Sequence, residues 1–300
     1  MKRKLLALTL TLISSPLMAN ELTLYFIHSP LGLDWKTPQS ISASTVANSI
    51  IPKKISGGYS IGHVYEEINC PRLGVHELTG QTSTTDADND RVLKEHWGLG
   101  AMIATEPGKL ESTEEVTTAL KKLYKNGRVA ILKMAINENA CERLVDYLKE
   151  YRELKLDQIY AGLHANPLNK QGSGCSAFGA SMLEVTGLLL PEQYDAWTYQ
   201  LGVPYKYIGG PRTGKKITIL EMITAFNSQW TTKDDTTGGV WIDFYDPSRM
   251  NRWVKKMHYL IKKGKSPYSF ATGAIVRNKA KGVFFDMRNF ETPTGPIFHE

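Results

Sequence analysis

Residues 172–179 read GSGCSAFG and place one of only three cysteines between glycines and other small residues. Apolar residues at helical spacing follow as far as Gly187, so the pattern predicts a helix that begins at or beside Cys175. The partial positive charge of unpaired N–H groups at a helix start lowers the pKa of a thiol. Two interpretations are open. Cys175 is a nucleophile presented at the helix start, or it is a small apolar side chain that fills a tight helix contact.

The rest of the chain alternates short strands and helices. Runs rich in β-branched and aromatic residues predict strands at 22–28, 60–69, 73–79, 128–136 and 239–245. One helix is predicted between a capping box of Ser112 with Glu115 and a stop at Gly127, and others at 137–153, 217–229 and 248–263. Because the pattern is looser beyond residue 190, we expect a core at 20–190 and an extension packed on it at 191–300.

His63 differs from the other six histidines in its surroundings. It follows Gly62 within the predicted strand 60–69, and strand alternation places it on the same face as Tyr65 and Glu67. A strand position next to a glycine suits an imidazole that is held rigidly over a cleft. A strand histidine alone is also explained as a structural residue, so His63 becomes a candidate base only together with Cys175.

Three features together resemble a known family. They are Gly-His-Val on a short strand, a second strand with His76, and a much later Gly-x-Gly-Cys-Ser-x-Phe helix start. They resemble the circularly permuted NlpC-type thiol enzymes, which include bacterial cell-wall amidase-like proteins and the relatives of lecithin–retinol acyltransferase. In that group the histidine strand precedes the cysteine helix, as here. The matching motifs are confined to 60–80 and 160–190.

The resemblance implies a fold and roles for individual residues. The implied fold is α+β and papain-like in circularly permuted order, with a short antiparallel sheet and a cysteine-bearing helix packed against it. Cys175 would be the nucleophile, His63 the general base, and a polar group on the adjacent strand would orient the imidazole. His76 occupies roughly the place of the second histidine in the acyltransferase relatives.

Two departures from the family pattern leave the orienting residue open. An acidic pair that includes Glu67 stands where the family has apolar strand residues, so Glu67 itself is a candidate. The turn between the two strands contains Cys70 and Pro71, which leaves the register of His76 uncertain. Glu77 is therefore a rival for the same role.

The first nineteen residues have the layout of a secretory signal peptide. Lys2, Arg3 and Lys4 precede an apolar stretch, and small residues follow to Ala19. Removal of that segment would lower the formal charge from +6 to +3, a mild basic balance that favours anionic cell-wall polymers or lipid head groups. No aromatic–basic interleaving indicates nucleic acid. No later run of about 18 apolar residues indicates membrane insertion. The predicted location is the periplasm or the cell exterior.

The odd number of cysteines suggests one pair and one free thiol. Cys70 follows a strand-like run and Cys141 lies in a helical one, so these two could form a disulfide in an oxidising compartment. Cys175 would then be the free thiol. The count alone permits this pairing and also permits three unpaired cysteines.

Weaker motifs give little further information. GGPRTGKK at 209–216 comes close to a phosphate-binding loop, but Lys216 replaces the required Ser or Thr, so we interpret it as a turn. No His/Cys cluster has the spacing of a zinc site. The prediction therefore includes neither a cofactor nor a metal, and the pattern does not indicate an oligomeric state.

Three functions fit these observations. The first is an exported cysteine hydrolase that cleaves an amide bond in a peptidoglycan peptide, with a Cys–His pair as the catalytic group. The second is a thiol acyltransferase or lipid esterase that takes an acyl-lipid substrate, because the positive charge and the aromatic residues of 190–210 suit a lipid surface as well as a glycan. The third is a non-catalytic binding or effector module of the same shape.

Overall fold

The computed structural model describes residues 19–51, 59–85, 87–235 and 237–299. The predicted signal peptide lies outside this part of the chain except for Ala19. The described part contains eleven strands: β1 Glu21–Ile27, β2 His63–Cys70, β3 Val75–Thr79, β4 Gln81–Ser83, β5 Glu106–Leu110, β6 Val129–Ala135, β7 Ile159–Tyr160, β8 Thr198–Pro204, β9 Gly239–Tyr245, β10 Ala271–Arg277 and β11 Ala280–Asp286. It contains eight α-helices: α1 Pro38–Ser49, α2 Ala87–Leu93, α3 Thr113–Asn126, α4 Glu138–Glu153, α5 Cys175–Val185, α6 Pro191–Trp197, α7 Ile219–Ile223 and α8 Pro247–Lys262.

Local capping signals define the helices that surround the main sheet. The Ser112 side chain accepts from the Glu115 amide, and the Ser112 N–H donates to the Glu115 carboxylate over 2.8 Å, which starts α3. Gly127 ends that helix with a φ of +67°. Asn137 starts α4 by accepting from the Ala140 N–H at 2.8 Å. Both helices are confirmed where these signals predicted them.

Six strands form the main sheet in the order β10–β11–β6–β1–β2–β3. β11 runs parallel to β6, and the other neighbouring pairs are antiparallel. Helices α4, α5 and α8 cover one face and α3 covers the other, so alternate strand residues are buried on opposite sides. The fold class is α+β, as predicted. The sheet itself is larger than the short antiparallel sheet that was expected, and it is mixed.

Residues 191–300 contribute directly to this sheet. β11 pairs with β6 from Lys281 opposite Ala130 to Asp286 opposite Ala135, and β10 extends the sheet beyond β11. The core cluster beneath the sheet mixes N-terminal residues such as Leu132 with Trp253 from α8. The boundary expected at residue 190 therefore does not separate a core from an extension, because one sheet takes strands from both sides of it.

The cysteine-bearing helix α5 packs closely on β2. A Cβ added at Gly179 would lie 2.7 Å from Glu66 Oε1 and 2.9 Å from Val64 Cγ1. Real Cβ atoms do not approach so closely, so the absence of a side chain at Gly179 permits this helix–strand contact. The first turn of α5 is thereby brought to the start of β2.

Helix α1 was not predicted, because residues 29–58 are a largely polar stretch with several serines and prolines. The helix begins with a reciprocal cap between Thr37 and Ser40 and carries no charged residue. Ile41 from α1 joins Trp35, Met222 and Phe244 in a separate apolar cluster next to the main core. This cluster forms one side of the candidate site. Residues 52–58, which follow α1, lie outside the described part.

Two further expectations concern the later part of the chain. The GGPRTGKK segment is confirmed as a turn: the Gly210 N–H donates to the Lys215 carbonyl at 2.9 Å and the Gly214 N–H to the Gly210 carbonyl at 2.8 Å. The helix predicted at 217–229 is shorter, since only Ile219–Ile223 is α-helical. No helix among the described residues combines the length and the apolar character needed to cross a membrane.

Candidate active site

Cys175 is the first residue of α5, as predicted. Gly174 caps the helix in extended conformation, and its carbonyl accepts the first intrahelical bond, from Phe178, at 3.0 Å. The preceding loop is held against β7 by a bridge between Tyr160 and Ser173. A Cβ at Gly172, whose φ is +74°, would lie 2.5 Å from Ile159 Cγ2, so this close approach requires a glycine.

His63 is the first residue of β2 and is almost fully buried. It follows Gly62, whose φ of +93° suits a glycine and where a Cβ would lie 2.8 Å from the Ile27 carbonyl oxygen. The imidazole stacks on Tyr59 with 4.7 Å between ring centroids and meets Tyr65 edge-on at 4.6 Å. The alternation that placed His63 and Tyr65 on one face is confirmed, and the two tyrosines fix the plane of the imidazole.

The Cys175 thiol lies beside the His63 imidazole, close enough for each side chain to shift the pKa of the other. Burial alone would raise the pKa of the thiol, but the His63 charge and hydrogen bonds from His63, the Val64 amide and Ser176 lower it below its ordinary value. Burial alone would lower the pKa of His63, but Cys175 and Glu111 raise it well above its ordinary value. Both directions favour a thiolate–imidazolium pair at neutral pH.

Glu111 is the third member of the group. Its Oε2 lies 3.1 Å from His63 Nε2, and its Oε1 accepts from the Tyr65 hydroxyl at 3.4 Å. The backbone of Glu111 is fixed on both sides, since its N–H donates to the Gly80 carbonyl and its carbonyl accepts from the Thr79 hydroxyl. Because Nε2 faces Glu111, Nδ1 is the nitrogen available to the thiol. The carboxylate therefore orients the ring and stabilises its protonated form.

Glu111 contacts the imidazole. None of the three residues proposed from the sequence for the orienting role does so. His76 has a largely exposed side chain that bonds Glu67 Oε1 at 2.9 Å. Glu67 also accepts from the Tyr25 hydroxyl. Glu77 pairs with Arg152 on α4. These contacts leave His76, Glu67 and Glu77 away from the Cys175–His63 pair.

Glu111 was not predicted as a site residue, because it lies 48 residues from His63 along the chain. The only local signal is its position directly before Ser112, the cap of α3. That position gives Glu111 a fixed backbone but does not show which side chain it meets.

Cys70 and Cys141 form a disulfide in the structure, with 5.9 Å between their Cα atoms. The bond joins the end of β2 to α4, so it attaches the strand that carries His63 to the helix layer beneath it. Cys175 is the free cysteine. Of the three thiols in the chain, one is therefore available for chemistry.

Glu66 is an unusual residue beside this group. Its side chain is fully buried between β2 and α5, and neither carboxylate oxygen has a hydrogen-bond partner among the described residues. Burial raises its pKa well above the ordinary value; the His63 charge opposes this shift, and the weaker effects of the negative charges of Cys175 and Glu111 add to it. Gly179, next to Glu66, lies one helical turn after Cys175. A neutral Glu66 avoids placing a second negative charge close to the thiolate.

A groove opens on the exposed side of the Cys175–His63 pair. Its part next to Cys175 is mostly apolar, with walls from Leu33, Trp35, Met102, Leu163 and Phe244. The part next to His63 continues along α1 past Leu99, Met222 and Leu93. Ile41, Ile61 and Met102 line both parts, so the groove is continuous across the thiol. A substrate can therefore extend on both sides of the bond that Cys175 attacks.

Among the described residues, no group of three or more His, Cys, Asp or Glu side chains is arranged to hold a metal ion. Comparison of the chain with protein-family models, with curated proteins and with solved structures finds no significant match. The geometry of the site is therefore the basis for its function.

Proposed function

We propose that the protein is a cysteine hydrolase in which Cys175 is the nucleophile, His63 the general acid and base, and Glu111 the residue that orients the imidazole. The observation that carries this proposal is the thiol–imidazole–carboxylate chain at the start of α5, with its lowered thiol pKa and raised imidazole pKa. A packing role for Cys175 requires neither an imidazole beside the thiol nor a groove above it.

The chemistry follows from these positions. The Cys175 thiolate attacks the substrate carbonyl carbon, and the negative charge passes to the carbonyl oxygen. N–H groups at the start of α5 have no intrahelical partner and can stabilise that oxyanion. As the tetrahedral intermediate collapses, the His63 imidazolium gives its proton to the leaving nitrogen, and a thioester remains on Cys175. Water then attacks the thioester while His63 accepts its proton, which releases the carboxylic acid and restores the ion pair.

The proposed fold family is the circularly permuted, papain-like group. The histidine strand precedes the cysteine helix in the chain, and the two elements pack against each other with the helix start at the histidine. The choice of an amide bond in a cell-wall peptide rests on the resemblance to NlpC-type enzymes and on the predicted export to the periplasm or the cell exterior. The Cys70–Cys141 disulfide supports an oxidising compartment.

One observation favours a second candidate, a thiol acyltransferase or lipid esterase. The groove next to Cys175 is lined mainly by aliphatic and aromatic side chains, which suit an acyl chain at least as well as a peptide. The catalytic residues would be the same, and an ester oxygen would replace the amide nitrogen as the leaving atom.

The test is turnover by the mature chain and by Cys175→Ala and His63→Ala. Each substitution should lower the turnover of purified peptidoglycan fragments by about 10⁴-fold or more, since the two side chains act as a unit. His76→Ala is a matched control, because that largely exposed histidine bonds Glu67 away from the Cys175–His63 pair. A thioester trapped on Cys175 with labelled phospholipid, without peptide cleavage, would support the second candidate. Undiminished turnover by Cys175→Ala would rule out both, and a folded protein without either activity would support a binding module.

A further inference from the structure

The groove is bordered by large apolar side chains that are exposed to solvent. Ile61 and Leu93 line the groove directly and are 42% and 59% exposed. Ser49 and Ile219 also line the groove. Ile50 and Leu220 directly follow them in the chain and are 76% and 63% exposed. We call these four residues the apolar rim. Exposed apolar residues grouped around a cleft mark a binding surface.

A basic loop lies next to the apolar rim. Residues 205–217 contain Lys206, Arg212, Lys215 and Lys216 and no acidic residue, and all four cationic side chains are exposed. Backbone bridges join Gly98 to Ile208 and Trp97 to Ile217, so this loop is attached to the segment that lines the groove at Gly98 and Leu99. None of the four takes part in a salt bridge among the described residues.

The nearest acidic residue on the following helix does not neutralise the loop. The Glu221 carboxylate accepts from the N–H and the hydroxyl of Thr218 and caps its own helix, α7. Helix α1, which forms one wall of the groove, carries no charge from Pro38 to Ser49. Exposed Glu95 also borders the loop, because the carbonyl of the neighbouring His96 accepts from the Ile217 N–H. With four cationic side chains against Glu95 and Glu221, the loop keeps an excess of positive charge beside the uncharged helix α1.

We propose that the face around the groove docks on an anionic phospholipid membrane, with the apolar rim in contact with the acyl region and the basic loop in contact with the head groups. Apolar contact and attraction to anionic lipids are the two contributions that hold a protein at a membrane surface without spanning it. A second copy of the chain fits less well, because pairing of this face with itself brings the two basic loops together. Docking would admit an apolar group of a membrane-borne substrate into the groove; that last step rests on the proposed function.

The experiment is flotation of the mature chain with vesicles of phosphatidylglycerol and phosphatidylcholine, and with vesicles of phosphatidylcholine alone. Wild-type protein should bind the anionic vesicles at least tenfold more tightly, and binding should weaken as salt is added. Leu93→Asp with Leu220→Asp should lower the partition coefficient by about tenfold or more. Lys215→Glu with Lys216→Glu should lower it by about tenfold or more as well, because charge reversal replaces attraction to the anionic head groups with repulsion.

Two controls separate docking from catalysis and from general surface effects. Val276→Asp changes an exposed apolar residue on the edge strand β10, four strands away from β2, and should bind as wild type does. Cys175→Ala should also bind as wild type does, so loss of the chemistry and loss of docking are distinguishable. Three results would each overturn the proposal. They are equal binding by wild type and the rim variant, no binding to anionic vesicles at low salt, and dimerisation that Leu220→Asp abolishes while the protein binds no vesicles.

Discussion

Glu111 places a carboxylate at a fixed backbone position beside His63. Its carboxylate bonds His63 Nε2, and its own main chain is held by Gly80 and Thr79. The fixed backbone keeps the Glu111 carboxylate beside the imidazolium, which it stabilises. Since the imidazolium in turn lowers the pKa of Cys175, the reactivity of the thiol depends on a residue that does not touch it.

Glu111→Gln should therefore make the thiol less reactive at neutral pH. Loss of the carboxylate charge lowers the pKa of His63, so the imidazolium is lost at a lower pH and the pKa of Cys175 rises. The rate of alkylation of Cys175 by iodoacetamide should shift to higher pH, and turnover should fall by about 10²-fold. His76→Ala is the matched control, because that exposed side chain bonds Glu67 and should leave both profiles unchanged. An unchanged alkylation profile for Glu111→Gln would show that the carboxylate does not act on the pair.

Glu66 should make the stability of the protein depend on pH in the opposite sense to a salt-bridged carboxylate. Burial raises its pKa in the folded state. Above the unfolded value of about 4.3, the unfolded chain loses a proton that the folded chain keeps, so stability falls as the pH rises towards the folded pKa. Glu66→Gln keeps the shape without the charge and should raise the Tm. The gain should be absent near pH 4 and grow by up to about 2–4 °C per pH unit towards neutrality. A Tm difference that is constant with pH would contradict this account.

At the scale of secondary-structure elements, the parts predicted from the sequence are those with local signals. The start of α5 at Cys175, the capping of α3 and the strand alternation around His63 depend on a few neighbouring residues. Helix α1 has a cap at Thr37, but serine, threonine and asparagine occupy half of its length and its apolar face is narrow, so the pattern does not predict it. That helix nevertheless forms a wall of the groove.

The orienting carboxylate could not be predicted for a different reason. His76 and Glu77 were chosen because they lie on the strand next to His63. The site instead takes Glu111 from the connection between β5 and α3, which folds against the same end of β2 through its backbone bonds to Gly80 and Thr79. Such a contact depends on how distant segments pack, and no periodicity in the sequence reports it.

At the scale of the whole molecule, the main sheet holds the two ends of the chain together. Asn251 on α8 donates from Nδ2 to the carbonyls of Phe26 and Arg128, which belong to N-terminal segments. His258 on the same helix bonds the Gly282 carbonyl of β11 through Nδ1. The C-terminal helix thus satisfies polar groups on both halves of the sheet, which a separate packed extension does not do.

A fragment that consists of residues 20–190 should therefore not fold. The fragment lacks β11, which leaves the edge of β6 unpaired, and it lacks Met250, Trp253 and Phe285, so the N-terminal core side chains that they cover become exposed. Each buried side chain of this kind contributes about 1.5–3 kcal/mol, and the loss of several is comparable to the whole stability of about 5–15 kcal/mol of an ordinary domain. The fragment should show no cooperative thermal transition and no rapid alkylation of Cys175, whereas the chain from residue 20 to 300 should show both. A sharp transition with wild-type alkylation by the fragment would mean that the site needs only the N-terminal strands, and that β10, β11 and α8 are an addition to a core that is already complete.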